Sequence, residues 1–283
     1  MYGSFFQRIK EKSSELKGKQ FILAEYLMAN YKRAAFMNSS CLAKNAKVSE
    51  ATVNRFANTL GYTGFTQMIN ELRTSVQSEL TTLDRVQEKI GAKSQNILEK
   101  IIQEEHKKLL DLPNYIKQEE IDKFIQDIYT AKKIFVLGFQ ISCSLAWYFG
   151  YMLGKVTGKV QVISQLTADT HSLINITDNE TLIIAFAYPR YPNALLNLCE
   201  SFARRGAVIV SVTDSLLSPV IKYSKQTFQI PVNCISTVDQ LGPVLVFIQA
   251  VVLEYNSKFE ENAKDNLASF EEYTETHKIF YKI

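Results

Sequence analysis

The chain has 283 residues, of which 46% are apolar and 22% charged, and a formal net charge of +3. That make-up excludes a disordered chain, suits a buried core, and at about 150 residues per domain predicts roughly two domains. No apolar run reaches the roughly 18 to 20 residues of a membrane span.

The opening stretch, MYGSFFQRIKEKSSEL, scatters charges where a secretory leader has an apolar segment, so no leader is expected. Cys41, Cys143, Cys199 and Cys234 lie far apart and form no C-x-x-C pair. This spacing argues against a disulfide framework or structural zinc and for a reducing cytoplasm, with thiols that only pack. Neither a metal nor a cofactor is expected. The charge is uneven: residues 1–77 hold 11 Lys and Arg against 5 Asp and Glu, a net +6, while residues 78–283 hold 21 against 24, a net −3. A basic head on a mildly acidic body points to a polyanionic partner for the head alone.

Within the head, Ile22, Leu23, Tyr26, Leu27 and Tyr31 recur at helical spacing. In 38-NSSCLAKNAKVSEATVNRFANTLGYTGFTQM-68, Asn38 or Ser39 caps a short helix that buries Leu42, Ala43 and Ala46. Ser49 caps a second helix, which buries Val53, Phe56 and Leu60 and ends at Gly61. Two short helices about a three-residue turn form a helix-turn-helix. Small Ala43 lets the helices approach, and Val48 and Val53 fill the angle between them. The face left over carries Glu50, Thr52, Asn54, Arg55 and Asn58, which together with Lys47 and Ser49 are the candidate DNA-binding residues. Arg55 suits a guanine and Asn54 an adenine in a major groove.

This segment resembles the N-terminal domain of the RpiR family of bacterial transcription regulators, through the run VSEATVxRFxxxLGYxGFxxM, over roughly residues 4–77. Lys47 stands where such a turn commonly has glycine. In a left-handed conformation it would cost roughly 1 kcal/mol, with a phosphate contact as the gain.

Residues 78–130 read as helix with breaks: apolar spacing runs through Ile97, Ile101, Leu109 and Leu110, Gly91 interrupts it, Pro113 ends it, and EEIDKFIQDIYTA follows as another helix. From 132 onward, IFVL (134–137), VQVI (160–163), TLIIAFA (181–187), AVIVSV (207–212) and TFQI (227–230) alternate with helical stretches. That alternation predicts an α/β domain, a parallel five-stranded sheet covered by helices on both faces. IFVLGFQxS, DTH, TLIIAF and GAVIVSVTDSxxSP are similar to the SIS domain, a sugar-isomerase-type fold, over roughly 110–256. The pairing of this domain with that helix-turn-helix is itself the RpiR arrangement. The domain boundaries expected are 1–77 for the helix-turn-helix, 78–109 for a helical linker, 110–256 for the effector domain and 257–283 for a helical tail.

Ligands of such sheets gather at the carboxyl ends of the strands, in GFQISCS (138–144), AYPRYP (187–192) and TDSLLSP (213–219). Where phosphosugar-binding SIS domains have a Ser/Thr-rich loop, this chain has AYPRYP, and where the first loop resembles G-x-G-x-S, Gly138 and Ser142 match but Gln140 replaces the middle glycine. Arg190 offers a planar fork for carboxylate or phosphate. Tyr188 and Tyr191 offer apolar walls with hydroxyl tips, and Asn193 is expected to cap the next helix. FPRY-like loops are similar to those of a subset of RpiR-type proteins. His171 in ADTH, and Thr213 and Asp214 in TDSLLSP, complete the expected effector set.

The rival class is a sugar-phosphate isomerase with a non-regulatory head. Such chemistry needs a base beside the substrate carbons. The three loops contain no glutamate, Glu180 starts a strand and Glu200 lies within a helix, leaving His171 alone. The sequence therefore favours a DNA-binding transcriptional regulator without turnover. Its partners would be double-stranded operator DNA and a small, anionic, sugar-related effector such as a phosphosugar or sugar acid. Residues 236–256 read as an apolar helix broken near Pro243; in the families this chain resembles such a helix supports dimers, so a homodimer or homotetramer is expected, and 257–283 read as a further helix, able to lie on a partner, whose position the sequence leaves open.

Overall fold

The computed structural model describes residues 4–77, 96–235 and 237–281, and the chain divides into two compact units, residues 1–93 and 94–283. The stretch around Gly91, where an interruption is expected, lies outside the described residues.

The first unit contains α1 (Ser4–Glu11), α2 (Lys19–Ala34), α3 (Ser39–Asn45), α4 (Glu50–Thr59) and α5 (Phe65–Gln77). Its core gathers Phe5, Leu23, Leu27, Leu42, Ala43, Val53, Phe56, Ala57, Met68 and Leu72. Both predicted caps form. Asn38 accepts a hydrogen bond from the Cys41 N–H at 2.7 Å, and the Ser49 hydroxyl accepts one from the Thr52 N–H at 3.2 Å. Each satisfies a first-turn donor that the helix itself cannot. Lys47 adopts the left-handed conformation, φ 55°, as does Gly61 beyond α4 with φ 84°. Arg8 of α1 ties the end of α4, donating to the Leu60 carbonyl at 3.3 Å and lying over the Tyr62 ring.

The second unit opens with α6 (Ile97–Asp111), a short 3₁₀ turn at Leu112–Asn114 holding Pro113, and α7 (Gln118–Thr130). Then follow β1 (Lys133–Gly138), α8 (Ser142–Thr157), β2 (Val160–Ile163), α9 (Ala168–Asn175), β3 (Thr181–Ala187), α10 (Asn193–Arg204), β4 (Val208–Thr213) and β5 (Gln226–Gln229). The sheet is entirely parallel, in the order β2-β1-β3-β4-β5. Successive strand side chains point to opposite faces. Ile134, Val136, Leu182, Ile184, Phe186, Val210, Val212 and Phe228 pack with α7, α8 and residues 244–255. Phe135, Leu137, Ile183, Ala185, Ala187 and Ile209 pack with Leu195, Leu198, Cys199 and Phe202 of α10. Burial on both faces is why these strands read as unbroken apolar runs. Burial also pushes the Cys199 thiol up to about 12, an unreactive state.

Two expectations, the helix over 236–256 and the Asn193 cap, are corrected, and the tail is placed. Residues 236–256 are not one broken helix: β6 (Asn233–Ile235) and β7 (Val238–Gln240) form an antiparallel hairpin, and α11 (Gly242–Lys258) starts after it. Pro243 lies in the first turn of α11, where a missing N–H costs nothing. The tail forms α12 (Glu260–Thr276) and packs on α8 of its own chain, with Phe270 edge-on to Tyr151 and Lys155 over the Tyr151 ring at 4.7 Å. Asn193 does not cap α10; the cap position is Pro192, without a side-chain hydrogen bond.

The turn from β1 into α8 is tight because residue 138 is glycine. A Cβ there would run into the Ser142 carbonyl oxygen and would lie 2.7 Å from the Ala146 Cβ. Backbone cannot yield as a flexible side chain does, so Gly138→Ala is expected to destabilise the folded chain by about 1–3 kcal/mol. A lower urea midpoint with an unchanged slope checks this.

Candidate functional site

Two surfaces collect the predicted site residues, one on each unit. On α4 the helix divides into two stripes. Thr52, Val53, Phe56, Ala57 and Leu60 are buried, while Glu50, Ala51, Asn54, Arg55 and Asn58 are exposed. Thr52 therefore leaves the exposed set. It is 4% accessible, and its hydroxyl hydrogen-bonds with that of Ser49 at 2.9 Å. The cause is its place one residue before Val53 on the inward stripe. Ala51, outside the expected set, takes its place outward, one turn from Asn54 and Arg55. Glu50 accepts from the Ser39 hydroxyl at 2.9 Å, Asn54 donates to the Glu50 carbonyl at 3.3 Å, and Arg55 reaches the Thr52 hydroxyl at 3.5 Å. Lys44 and Lys47 are exposed on the helix and turn just before. The stripe thus offers short polar groups, a methyl and three cations, suited to base edges and phosphates of a duplex.

The second surface is the carboxyl edge of the sheet. Gly138 ends β1, Gln140 follows with φ 54° and is exposed, and Ser142 opens α8. The Ser142 hydroxyl is buried and finds no hydrogen-bond partner among the described residues. Beyond β3, Tyr191 crosses to β4: its hydroxyl donates to Asp214 Oδ1 at 2.8 Å. Burial pushes the Asp214 carboxyl up, opposed by hydrogen bonds from Tyr191 and Thr213 and by the Lys108 ammonium. Burial also raises the Tyr191 phenol. Arg190 is exposed and makes no hydrogen bond or ion pair among the described residues.

Two expected effector residues, Tyr188 and Thr213, make contacts inside the fold. Tyr188 is 2% accessible, packs in the core and donates to the Ile230 carbonyl at 3.3 Å, so it is not a wall of an open loop. The Thr213 hydroxyl donates to the Ala187 carbonyl at 2.6 Å, joining two strand ends. His171 stands exposed on α9, its ring 3.4 Å from the Asn175 amide one turn on. The glutamates excluded as bases are paired elsewhere: Glu180 with Lys132 at 2.8 Å, and Glu200 with Arg204. A cavity of about 240 Å³ opens at the opposite, amino edge, lined by Asp127, Thr130, Asn179 and Glu180.

Two residues that reading the loops one by one could not find come from α6. Lys108 donates to the Pro231 carbonyl, just past β5, at 3.1 Å. Glu105, one turn earlier, accepts from the Gly242 N–H at 3.4 Å. Desolvation lowers Lys108 to about 8, countered by the charges of Glu105, Glu104 and Asp214. The sequence signal, Glu and Lys at i and i+3 on a helix, is too common to single them out.

Comparisons with known proteins agree with this architecture. Residues 4–82 match the model of the helix-turn-helix domain of the rpiR family, and residues 127–254 match the SIS domain. An uncharacterised HTH-type transcriptional regulator of Thermotoga maritima is 24% identical over 221 residues, 77% of this chain and 78% of the relative. HTH-type transcriptional regulator HexR of Pseudomonas aeruginosa is 23% identical over 234 residues, 81% and 79% of the two chains. Among solved structures, the sugar isomerase domain of an RpiR transcription factor from Sphaerobacter thermophilus superposes with a TM-score of 0.60 at 17% identity, over 63% of this chain and 99% of that one. The Vibrio vulnificus NanR protein complexed with ManNAc-6P superposes with a TM-score of 0.58 at 18% identity, over 99% and 100%. With an rpiR-family helix-turn-helix domain ahead of a SIS domain on a five-stranded parallel sheet, the chain belongs to the RpiR family of transcriptional regulators.

Proposed function

We propose that α4 enters the major groove of an operator and that the carboxyl edge of the sheet senses an anionic, sugar-related metabolite, without turnover. The observation that carries the DNA reading is the exposed stripe Glu50, Ala51, Asn54, Arg55 and Asn58 on a capped helix, beside Lys44 and Lys47. Ser49 holds the first turn of that helix, and Arg55 supplies the fork for a guanine or a phosphate. The effector reading draws on the unpaired Arg190, the Tyr191–Asp214 pair, Gln140 and the partnerless Ser142 hydroxyl, gathered where open α/β sheets bind ligands. NanR, bound to ManNAc-6P in the solved complex, supports a phosphosugar as effector class. Effector binding changes operator affinity only through different affinities for the two arrangements of the regulator, here a cytoplasmic homodimer or homotetramer. Among the described residues no helix is long and apolar enough to cross a membrane.

A second reading, an isomerase, gains one candidate: Glu105, which α6 brings within electrostatic reach of Lys108 and so toward the same edge as Asp214. Binding without turnover is favoured because one Glu105 oxygen is engaged by the Gly242 N–H. Assaying aldose–ketose interconversion on every sugar phosphate that binds separates the two; measurable turnover overturns the regulator-only reading.

Two substitutions test the halves independently. Arg55→Ala is expected to weaken binding to a duplex selected from a random pool by about 10- to 100-fold, read by fluorescence anisotropy, with effector binding unchanged. Arg190→Ala is expected to weaken effector binding at least about tenfold, as loss of a charge-assisted bidentate contact does. Calorimetry against ManNAc-6P, glucose 6-phosphate, 6-phosphogluconate and gluconate measures it, with DNA binding retained. An unaltered ligand response in the Arg190 variant removes that residue from the site.

A further inference from the structure

The helix α6 contributes polar groups to the carboxyl edge that no loop of the sheet supplies. Lys108 is half-buried and uses one of its three N–H donors on the Pro231 carbonyl at 3.1 Å. Asp214 at the end of β4 feels its charge, and Asp214 is bound in turn by Tyr191. One turn before this lysine, and on the segment that Glu105 touches, lie polar atoms that lack partners among the described residues. Glu105 Oε2 is shielded from solvent, tucked where Gly242 has no side chain; a Cβ there would lie 2.6 Å away. The Gln240 side chain, 4% accessible, leaves both its amide oxygen and nitrogen unpaired two residues before Gly242. Buried polar groups left unpaired cost stability, so each calls for a partner, a water or a ligand group.

We propose that Lys108 is an effector-contacting residue, its ammonium taking the anionic group of a hydroxyl-bearing sugar phosphate or sugar acid while the unpaired groups beside it meet the hydroxyls. This assignment rests on the reading of the carboxyl edge as the effector site. It also gives that site a direct hold on α6, the first described helix of the second unit and the one that follows residues 78–95 in the chain. Three carboxylates act on the ammonium, Glu104 and Glu105 from α6 and Asp214 just past β4, and burial outweighs them, so its charge is lost as pH rises through about 8. Anion affinity that depends on Lys108 is present below that pH and falls above it.

The experiment titrates the full chain and the variants Lys108→Met, Lys108→Arg and Arg190→Ala with ManNAc-6P, glucose 6-phosphate, 6-phosphogluconate and gluconate at pH 7 and pH 9. Wild type is expected to lose about three- to tenfold in affinity between the two, given a lysine titrating near pH 8. Lys108→Met is expected to bind about tenfold more weakly at pH 7 and to show no further loss at pH 9. Lys108→Arg, which keeps the charge, should bind at both pH values alike, and it decides the question should the methionine variant fail to fold. Wild-type affinity and pH dependence in the lysine variants, with binding still lost in Arg190→Ala, overturn the Lys108 assignment and leave the effector site standing. Failure of the wild type to bind any of the four anions overturns both.

Discussion

Every residue of β3, from Thr181 to Ala187, is buried, and the organisation of the second unit follows from that. A strand with no solvent-facing side needs helices over both faces. Helices on both faces need crossover connections, and those crossovers make the strands parallel. Parallel strands bring their carboxyl ends to one edge, which is then the place where backbone and loops are free to carry polar groups. The AYPRYP junction occupies the middle of that edge, and its two tyrosines divide the work: Tyr188 turns inward as core, while Tyr191 binds Asp214 across to the next strand. Arg190 between them is left outward.

The first unit is organised by a simpler constraint. On α4, Val53, Phe56, Ala57 and Leu60 fix which side of the helix faces the core, and everything opposite is presented to solvent. The caps at Asn38 and Ser49 set where the two helices begin, and the left-handed Lys47 sets the turn between them. A lysine in that conformation carries a conformational cost that a glycine would avoid. Its side chain is exposed beside the outward stripe.

Much of this was legible in the residues. The alternation of apolar runs with helical stretches located all five strands within a residue at each end, and the sheet's parallel character followed from runs too apolar for a one-sided strand. The caps were legible because Asn and Ser compete for first-turn N–H groups at short range. What escaped was long-range. Whether Tyr188 or Tyr191 faced inward depends on the turn after β3, not on their common chemistry. Thr52 looked polar and outward, yet its position on the 3.6-residue period assigns it to the core. Lys108 and Glu105 lie more than a hundred residues from Pro231 and Gly242, the groups they touch. Nothing local marks such a meeting. The hairpin of β6 and β7 was hidden because three-residue strands carry too little periodicity to separate from the start of the apolar helix that follows.

The last helix, α12, lies along α8, where Asn266 fills the space left by the absent side chain of Gly158 and Ala263 is sealed in the core. Tyr255 donates to Asn262 at 2.8 Å across the junction between α11 and α12. α12 is thereby a wall of the second unit and not an appendage. Shortening the polypeptide at the end of α11 would strip Phe270 from Tyr151 and lay the seat of Ala263 open to water, yielding a sticky fragment.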